Sequence, residues 1–261
     1  MQKVNIVLCL VVVVLIGLSF SYTAWGKPPE DLVFFFAFDE GSGDTVKDLS
    51  GFGNNGIVNG KKDWVEGKFK GGFHFDGATN IAVENNKPLT DLTHPMSVSA
   101  WVNPDILGGW RNIIEMDRTS ASKIGGWKMG FHDSRAIVWT TYGVKDFTSQ
   151  TPIETGEWTH VAATWDGAEA IVYVNGNPDS PMAGGGVIDV TDTADIPSLD
   201  LGWRRSSAAS FYQGIMDEVC IFKRVLSKSE INSLMNGVAN MVAVESKGKL
   251  ATAWGAMKVA K

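Results

Sequence analysis

The residues best suited to touch a ligand are three aromatic–cation pairs, Trp110-Arg111, Trp127-Lys128 and Trp203-Arg204. Each lies beside glycines near the end of a strand-like run. Sugar rings present C–H faces that stack on flat aromatics, while cationic and amide side chains take the hydroxyls. Trp110, Arg111, Trp127, Trp203 and Arg204 are therefore candidates for a binding rim. The same tryptophans could instead cap the core. A second group of residues is rich in hard oxygen. Asp39, Asp44, Asp48 and Asn54 crowd one loop, and Asp217-Glu218 lies late in the chain. Calcium takes several such oxygens, so Asp39, Asp48, Asn54, Asp217 and Glu218 are the candidate ligands of a structural Ca2+. They suit equally well turn residues that bond their own backbone. In a regular strand Asp217 and Glu218 point to opposite faces, so at most one of them would serve an ion easily.

Other chemistries find little footing. His74, His94, His132 and His160 are scattered, without the spacing of zinc ligands. Serines are plentiful, but no G-x-S-x-G elbow is present.

These side chains need a scaffold, and one stretch defines it. Glu157–Asn177 reads E-W-T-H-V-A-A-T-W-D-G-A-E-A-I-V-Y-V-N-G-N. Asp166-Gly167 and Asn175-Gly176 tolerate positive φ and mark tight hairpin turns. Val161, Ala163 and Trp165 share one strand face; Trp158, His160, Ala162 and Thr164 share the other. Neither face is strongly polar, so the strand lies inside a sheet covered on both sides. Leu32–Phe38, L-V-F-F-F-A-F, is a buried first strand. Asp39–Gly60 is an ordered loop holding one or two short strands. Further strands are expected at Gly71–Phe75, Ile81–Val83, Ser97–Val102, Asn112–Met116, Gly126–His132, Ala136–Thr141, Leu199–Trp203 and Phe211–Phe222. Trp101 and Trp165 fall on core faces. Asn177–Pro197, rich in Gly, Asp, Pro and Thr, reads as a long surface loop. Ser227-x-x-Glu230 is a capping box that starts a short helix; Leu226 and Ile231 fit its hydrophobic staple and Gly237 its stop.

The chain has 261 residues, long enough for one large β sandwich or two small domains, and its 29 Gly, 10 Trp and 13 Phe favour an all-β fold. The net charge of −6 argues against nucleic-acid binding. Residues 1–26 read as a secretory signal: Lys3, then the apolar Ile6–Phe20, then Ala24-Trp25-Gly26. The apolar run is short for a bilayer span, so the expectation is secretion to the cell surface or beyond, with no membrane span after cleavage; an uncleaved membrane anchor is the alternative. Cys9 leaves with the signal, and Cys220 stays as a small buried hydrophobe. Residues 241–261 carry four Lys and one Glu and read as a weakly ordered tail or short amphipathic helix.

Four segments, in order from about Asp31 to Gly237, resemble laminin-G-like domains of the concanavalin A-like group. They are F-A-F-D-E-G-S-G-D-T-V-K-D-L-S-G-F-G-N-N-G (Phe36–Gly56), G-K-F-K-G-G-F-H-F-D-G (Gly67–Gly77), M-S-V-S-A-W-V-N-P with the central hairpin, and G-I-M-D-E-V-C-I-F-K-R-V-L-S-K-S-E-I (Gly214–Ile231). The resemblance implies a jelly roll of two antiparallel sheets with one short C-terminal helix, filling 27–240. It leaves function open, because this fold serves lectins, glycanases, adhesion modules and spacers. Some β-glucanases of the group carry Glu-x-Asp-x-x-Glu on a strand, as nucleophile and general acid. Here Glu115-Met116-Asp117-Arg118-Thr119-Ser120 matches the first two positions, but Ser120 replaces the acid. Glu115 and Asp117 therefore read as ordinary polar residues. The expected function is a non-catalytic recognition module for a glycan or an extracellular protein. A carbohydrate-active enzyme and a structural surface protein are the alternatives.

Overall fold

The central hairpin forms as its turn residues require, and the rest of the protein assembles on it. The computed structural model describes residues 28–83, 89, 92–117, 125–183, 198–204 and 210–242, the side chains of 180–183 and 198 excepted. The expected signal segment 1–26 and residues 243–261 of the tail lie outside the described residues. The early strands are β1 (Leu32–Phe36), β2 (Thr45–Val46), β3 (Gly56–Asn59), β4 (Trp64–Glu66), β5 (Gly71–Asp76) and β6 (Asn80–Val83). The middle ones are β7 (Met96–Pro104), β8 (Arg111–Asp117), β9 (Gly126–Phe131), β10 (Ala136–Thr141) and β11 (Lys145–Pro152). Then come β12 (Thr159–Trp165), β13 (Glu169–Val174), β14 (Asn177–Ala183), β15 (Ser198–Leu201), β16 (Gln213–Phe222) and helix α1 (Lys228–Leu234).

Two antiparallel sheets result. The first runs β14-β13-β12-β7-β16-β5-β4, with β1 also on β16; the second runs β11-β10-β9-β8-β15-β6-β3-β2. The fold is all-β, as expected, but two short helical segments rather than one follow the last strand: α1 and residues 238–242. Val238, Met241 and Val242 of the second are buried in the apolar cluster beneath α1, so the first two residues of the expected tail belong to the folded body. Between the sheets lies one apolar core that includes Phe34, Phe36, Phe73, Trp127, Trp139, Val161, Ala163 and Trp165. A second cluster sits on the outer side of the first sheet, where Leu32, Phe35, Ala162, Tyr173, Cys220 and Phe222 meet Leu226, Ile231 and Leu234. The two layers explain why β1 is apolar at every position and β12 on both faces. Each strand alternates between the inter-sheet core and the floor beneath the helix.

Local chemistry fixes the joints. Asn175 and Gly176 have φ of 48° and 73°, the left-handed pair that a two-residue hairpin turn needs. A Cβ on Gly176 would lie 2.1 Å from Asn232 Oδ1, so this turn also makes room for α1. Asp166 Oδ1 accepts the amides of Ala168 and Glu169, each at 2.7 Å, and closes the other turn. Ser227 Oγ accepts the Glu230 amide at 3.3 Å and Glu230 Oε2 accepts the Ser227 amide at 2.7 Å, completing the capping box. His160, on the outer face of β12, bonds Ser99 Oγ through Nε2 at 2.8 Å, and burial pushes its pKa down to about 3.

Three expectations need correction. Residues 177–183 are not loop but strand β14, paired with β13. Pro178 and Pro181 obscure it, yet β14 ends its sheet, where proline costs the fewest ladder bonds. Lys145–Pro152, not foreseen as a strand, is the opposite edge of the second sheet and carries the polar side chains that edges tolerate. The third concerns Asp217 and Glu218, which do not take opposite faces. The β16–β7 register slips between Asp217 and Cys220, and Glu218 has φ of 51°. Met216 and Val219 both enter the inter-sheet core, so the two acids between them form a bulge.

Candidate functional site

On the outer face of the second sheet, alternation raises a polar row above the core. Ile114, Met116, Trp127, Met129, Trp139, Leu199 and Leu201 point inward. Their neighbours Asp200, Glu115, Lys128, Thr140 and Asp146 stand directly opposite one another across β15, β8, β9, β10 and β11. Over the half of this row from Lys128 to Asp146 lies a concavity of about 460 Å3. Trp110, Lys128, Thr140, Tyr142, Asp146 and Arg204 line it, with Lys145 at its edge.

The contacts set the electrostatics. Lys128 Nζ sits 3.9 Å from the centre of the Trp110 ring and 5.9 Å from that of Tyr142. The Arg204 guanidinium lies 5.3 Å from the Tyr142 ring centre. Thr140 Oγ1 donates to Asp146 Oδ1 at 2.5 Å. Glu115 is below the lining, only 1% exposed. Its Oε1 accepts from Tyr142 Oη and lies 3.7 Å from Arg204 Nε; its Oε2 accepts from Asn112 Nδ2 at 2.6 Å. Burial pushes the Glu115 pKa up to about 7 against the pull of Tyr142, with Asp117 adding to the rise. Burial likewise raises Tyr142 and lowers Lys128. The result is a cationic, aromatic surface over a buried carboxyl.

Of the five rim candidates, the fold brings Trp110 and Arg204 into this concavity. Trp127 is part of the core instead: it is fully buried and stacks on Trp139 with centroids 5.0 Å apart. Arg111 spends its guanidinium on backbone, donating to Gly108 O and Phe211 O at 3.0 Å each. Trp203 packs on Phe211 at 5.6 Å, away from the lining. Lys128 and Tyr142 complete the surface. The alternation of G-W-K-M-G-F could have found Lys128, since a strand that buries Trp127 must turn Lys128 outward.

The calcium candidates fall into two groups. Asp48 Oδ1 accepts the amides of Phe35 (3.0 Å) and Ser50 (2.9 Å); Oδ2 accepts Ser50 Oγ and the Asn54 amide, both at 2.8 Å. Asn54 is buried and donates Nδ2 to Val33 O at 3.0 Å. This pair ties the loop to β1, with both Asp48 oxygens occupied. Asp39, Asp217 and Glu218 gather elsewhere, around the bulge of β16. Asp39 and Glu218 line a pocket of about 260 Å3 with Lys70. Asp39 accepts the Gly71 amide at 3.0 Å and pairs with Lys70 at 3.2 Å. Asp217 Oδ2 accepts the Phe69 amide and Glu218 Oε2 the Val238 amide, at 2.8 and 2.6 Å. Burial raises Asp217 to about 8 and Glu218 to about 7. Among the described residues no group of three or more His, Cys, Asp or Glu is placed to hold a metal ion.

A family model described as the concanavalin A-like lectin/glucanases superfamily matches residues 75–232, more than half of the chain. The chain belongs to that superfamily. Among solved structures, domain 4 of an extracellular GH43 arabinanase from Geobacillus stearothermophilus, in complex with arabinotriose, is 20% identical at a TM-score of 0.61, over 78% of this chain and 98% of that one. Trypanosoma rangeli sialidase in complex with 2,3-difluorosialic acid is 17% identical at 0.61; the match spans 82% of this chain but 35% of the sialidase. The binding domain of botulinum neurotoxin serotype G is 18% identical at 0.56, over 78% of this chain and 50% of that one. At such identities the likeness is one of fold. Among curated proteins none matches. In this concanavalin A-like sandwich, then, the cationic concavity and the acidic pocket occupy different sheets.

Proposed function

We propose that this chain is a non-catalytic recognition module that binds a saccharide outside the cell, in the concavity over β9 and β10. The observation that carries the reading is the surface itself. Two aromatic rings and two cations converge on a space of about 460 Å3, within the size range of small-ligand sites. The apolar run before residue 27 and the arabinotriose and sialic-acid complexes of similar folds support it. No helix among the described residues is long and apolar enough to cross a membrane. An extracellular protein is the other partner this surface would suit.

Hydrolysis is the competing reading, and Glu115 favours it. A carboxyl raised to about 7 holds the proton that a general acid needs. Two features weigh against it. Both Glu115 oxygens are engaged beneath the lining. A second carboxylate must also face the first across the bound sugar, roughly 5–9.5 Å away. Among the described lining residues the carboxylate is Asp146, already bonded to Thr140.

A glycan array tests the reading. Binding should weaken at least about tenfold in Trp110→Ala, as for other central aromatic anchors. Silence across neutral and acidic glycans removes the saccharide reading. Cleavage of a bound glycan that disappears in Glu115→Gln replaces it with the enzyme.

A further inference from the structure

The concavity holds a lysine that the protein buries without giving it an anion. Lys128 is 5% exposed. Its Nζ has two aromatic faces for company, but among the described residues no hydrogen-bond acceptor and no carboxylate within 4 Å. Glu115 and Asp146 act on it only through space. Glu115 is already shared among Tyr142, Asn112 and Arg204, and Asp146 is held by Thr140. A desolvated ammonium is costly to leave unpaired, which is why such groups are normally matched. Lys128 reaches the surface only where it lines the concavity. Lys145 and Arg204 line the same space, so a locally positive patch sits on a chain of net charge −6.

We propose that the saccharide bound here is an acidic one, with an anionic oxygen group, carboxylate or sulfate ester, seated on Lys128 Nζ between Trp110 and Tyr142. This rests on the saccharide reading above and names the class of sugar. The incoming anion supplies the partner the fold withholds, and charge-assisted bonds of this kind are among the stronger ones. The flanking rings explain a sugar rather than a bare ion, since they offer apolar faces at the sides of the cation.

The test uses calorimetry on the full chain with four trisaccharide probes at low salt: trigalacturonate, its methyl ester, a sulfated galactotriose and neutral galactotriose. At least one acidic probe should bind about ten- to hundredfold tighter than the neutral one. Whichever of carboxylate and sulfate wins identifies the group. The methyl ester should fall to the neutral level. In Lys128→Met the acid-to-neutral ratio should collapse towards one, and Lys128→Arg should restore most of it. Neutral and acidic probes binding alike, or a preference that survives Lys128→Met, overturns the acidic class while the saccharide reading stands. Binding of no probe, neutral or acidic, removes both. A glutamate oligopeptide that binds as tightly as the acidic sugars overturns the choice of saccharide. The methyl-ester comparison needs no variant, so the outcome does not depend on Lys128→Met folding well.

Discussion

Replacing Glu115 by Gln should make the protein more stable at alkaline pH and change little at acid pH. Burial holds the Glu115 carboxyl at about 7 in the fold, against an ordinary 4.5 in the unfolded chain. Between those values the folded state keeps a proton that the unfolded state has released. Stability from this group is therefore complete below about pH 4.5 and is lost as pH rises through about 7. At ~1.4 kcal/mol per unit, the loss is on the order of 3 kcal/mol by pH 8. Gln resembles the protonated acid. Its carbonyl can accept from Tyr142 Oη, and its amide can donate to Asn112 Oδ1, which is buried without a partner, once the Asn112 amide turns over. Asp217 and Glu218, raised to about 8 and about 7, bend the profile in the same direction. They lie on the other sheet and cancel in the difference between the two proteins. The assay is denaturant unfolding of both at half-unit steps from pH 4.5 to 8.5. A difference near zero at pH 4.5 that grows to roughly 3 kcal/mol in favour of Gln by pH 8 is expected. A flat difference, or a Gln variant weaker at pH 8, would refute the reasoning, because Glu115 would then be ionised and favourably paired in the fold.

Trp127→Ala should cost about 3–5 kcal/mol, read as a lower denaturant midpoint, because it empties the stack against Trp139. Asp48→Ala should cost roughly 3 kcal/mol by stranding the amides of Phe35, Ser50 and Asn54. In the parent chain, millimolar calcium should leave the melting temperature unchanged. A rise of several degrees, absent in Asp217→Asn, would instead put an ion in the pocket beside Lys70.

What could be read from the sequence was whatever is decided locally. Asp166-Gly167 and Asn175-Gly176 set their turns through their own φ preferences, and Ser227 and Glu230 cap a helix within four residues. The all-β sandwich followed from these signals and from the strand runs between them; the jelly roll came from the resemblance to laminin-G-like domains. The edges were hidden because an edge strand needs little apolar character. Pro178 and Pro181 in β14, and the polar Lys145–Pro152, look like loop until a neighbouring strand is present to pair them. The candidate surface was half visible for a related reason. A tryptophan beside a lysine says that one of the two faces out, and the alternation of Trp127, Met129 and Phe131 is the signal that decides which. Trp127 went in and Lys128 came out. Tyr142 gave no signal at all, since its place over Glu115 depends on a contact 27 residues away.

The extra residue at Asp217-Glu218 makes the bulge as binding a constraint on the last strand as its composition. Upstream, Met216 keeps time with the first half of the strand; downstream, Val219 and Ile221 restart the beat one step late. Ironed flat with both acids kept, the strand would be just as greasy but phased the wrong way. Val219 and Ile221 would turn to the helix, and Cys220 and Phe222 to the space between the sheets. Excising Glu218 would instead restore plain alternation, with Val219 and Ile221 still inward, and would strip away the carboxyl that receives the Val238 amide.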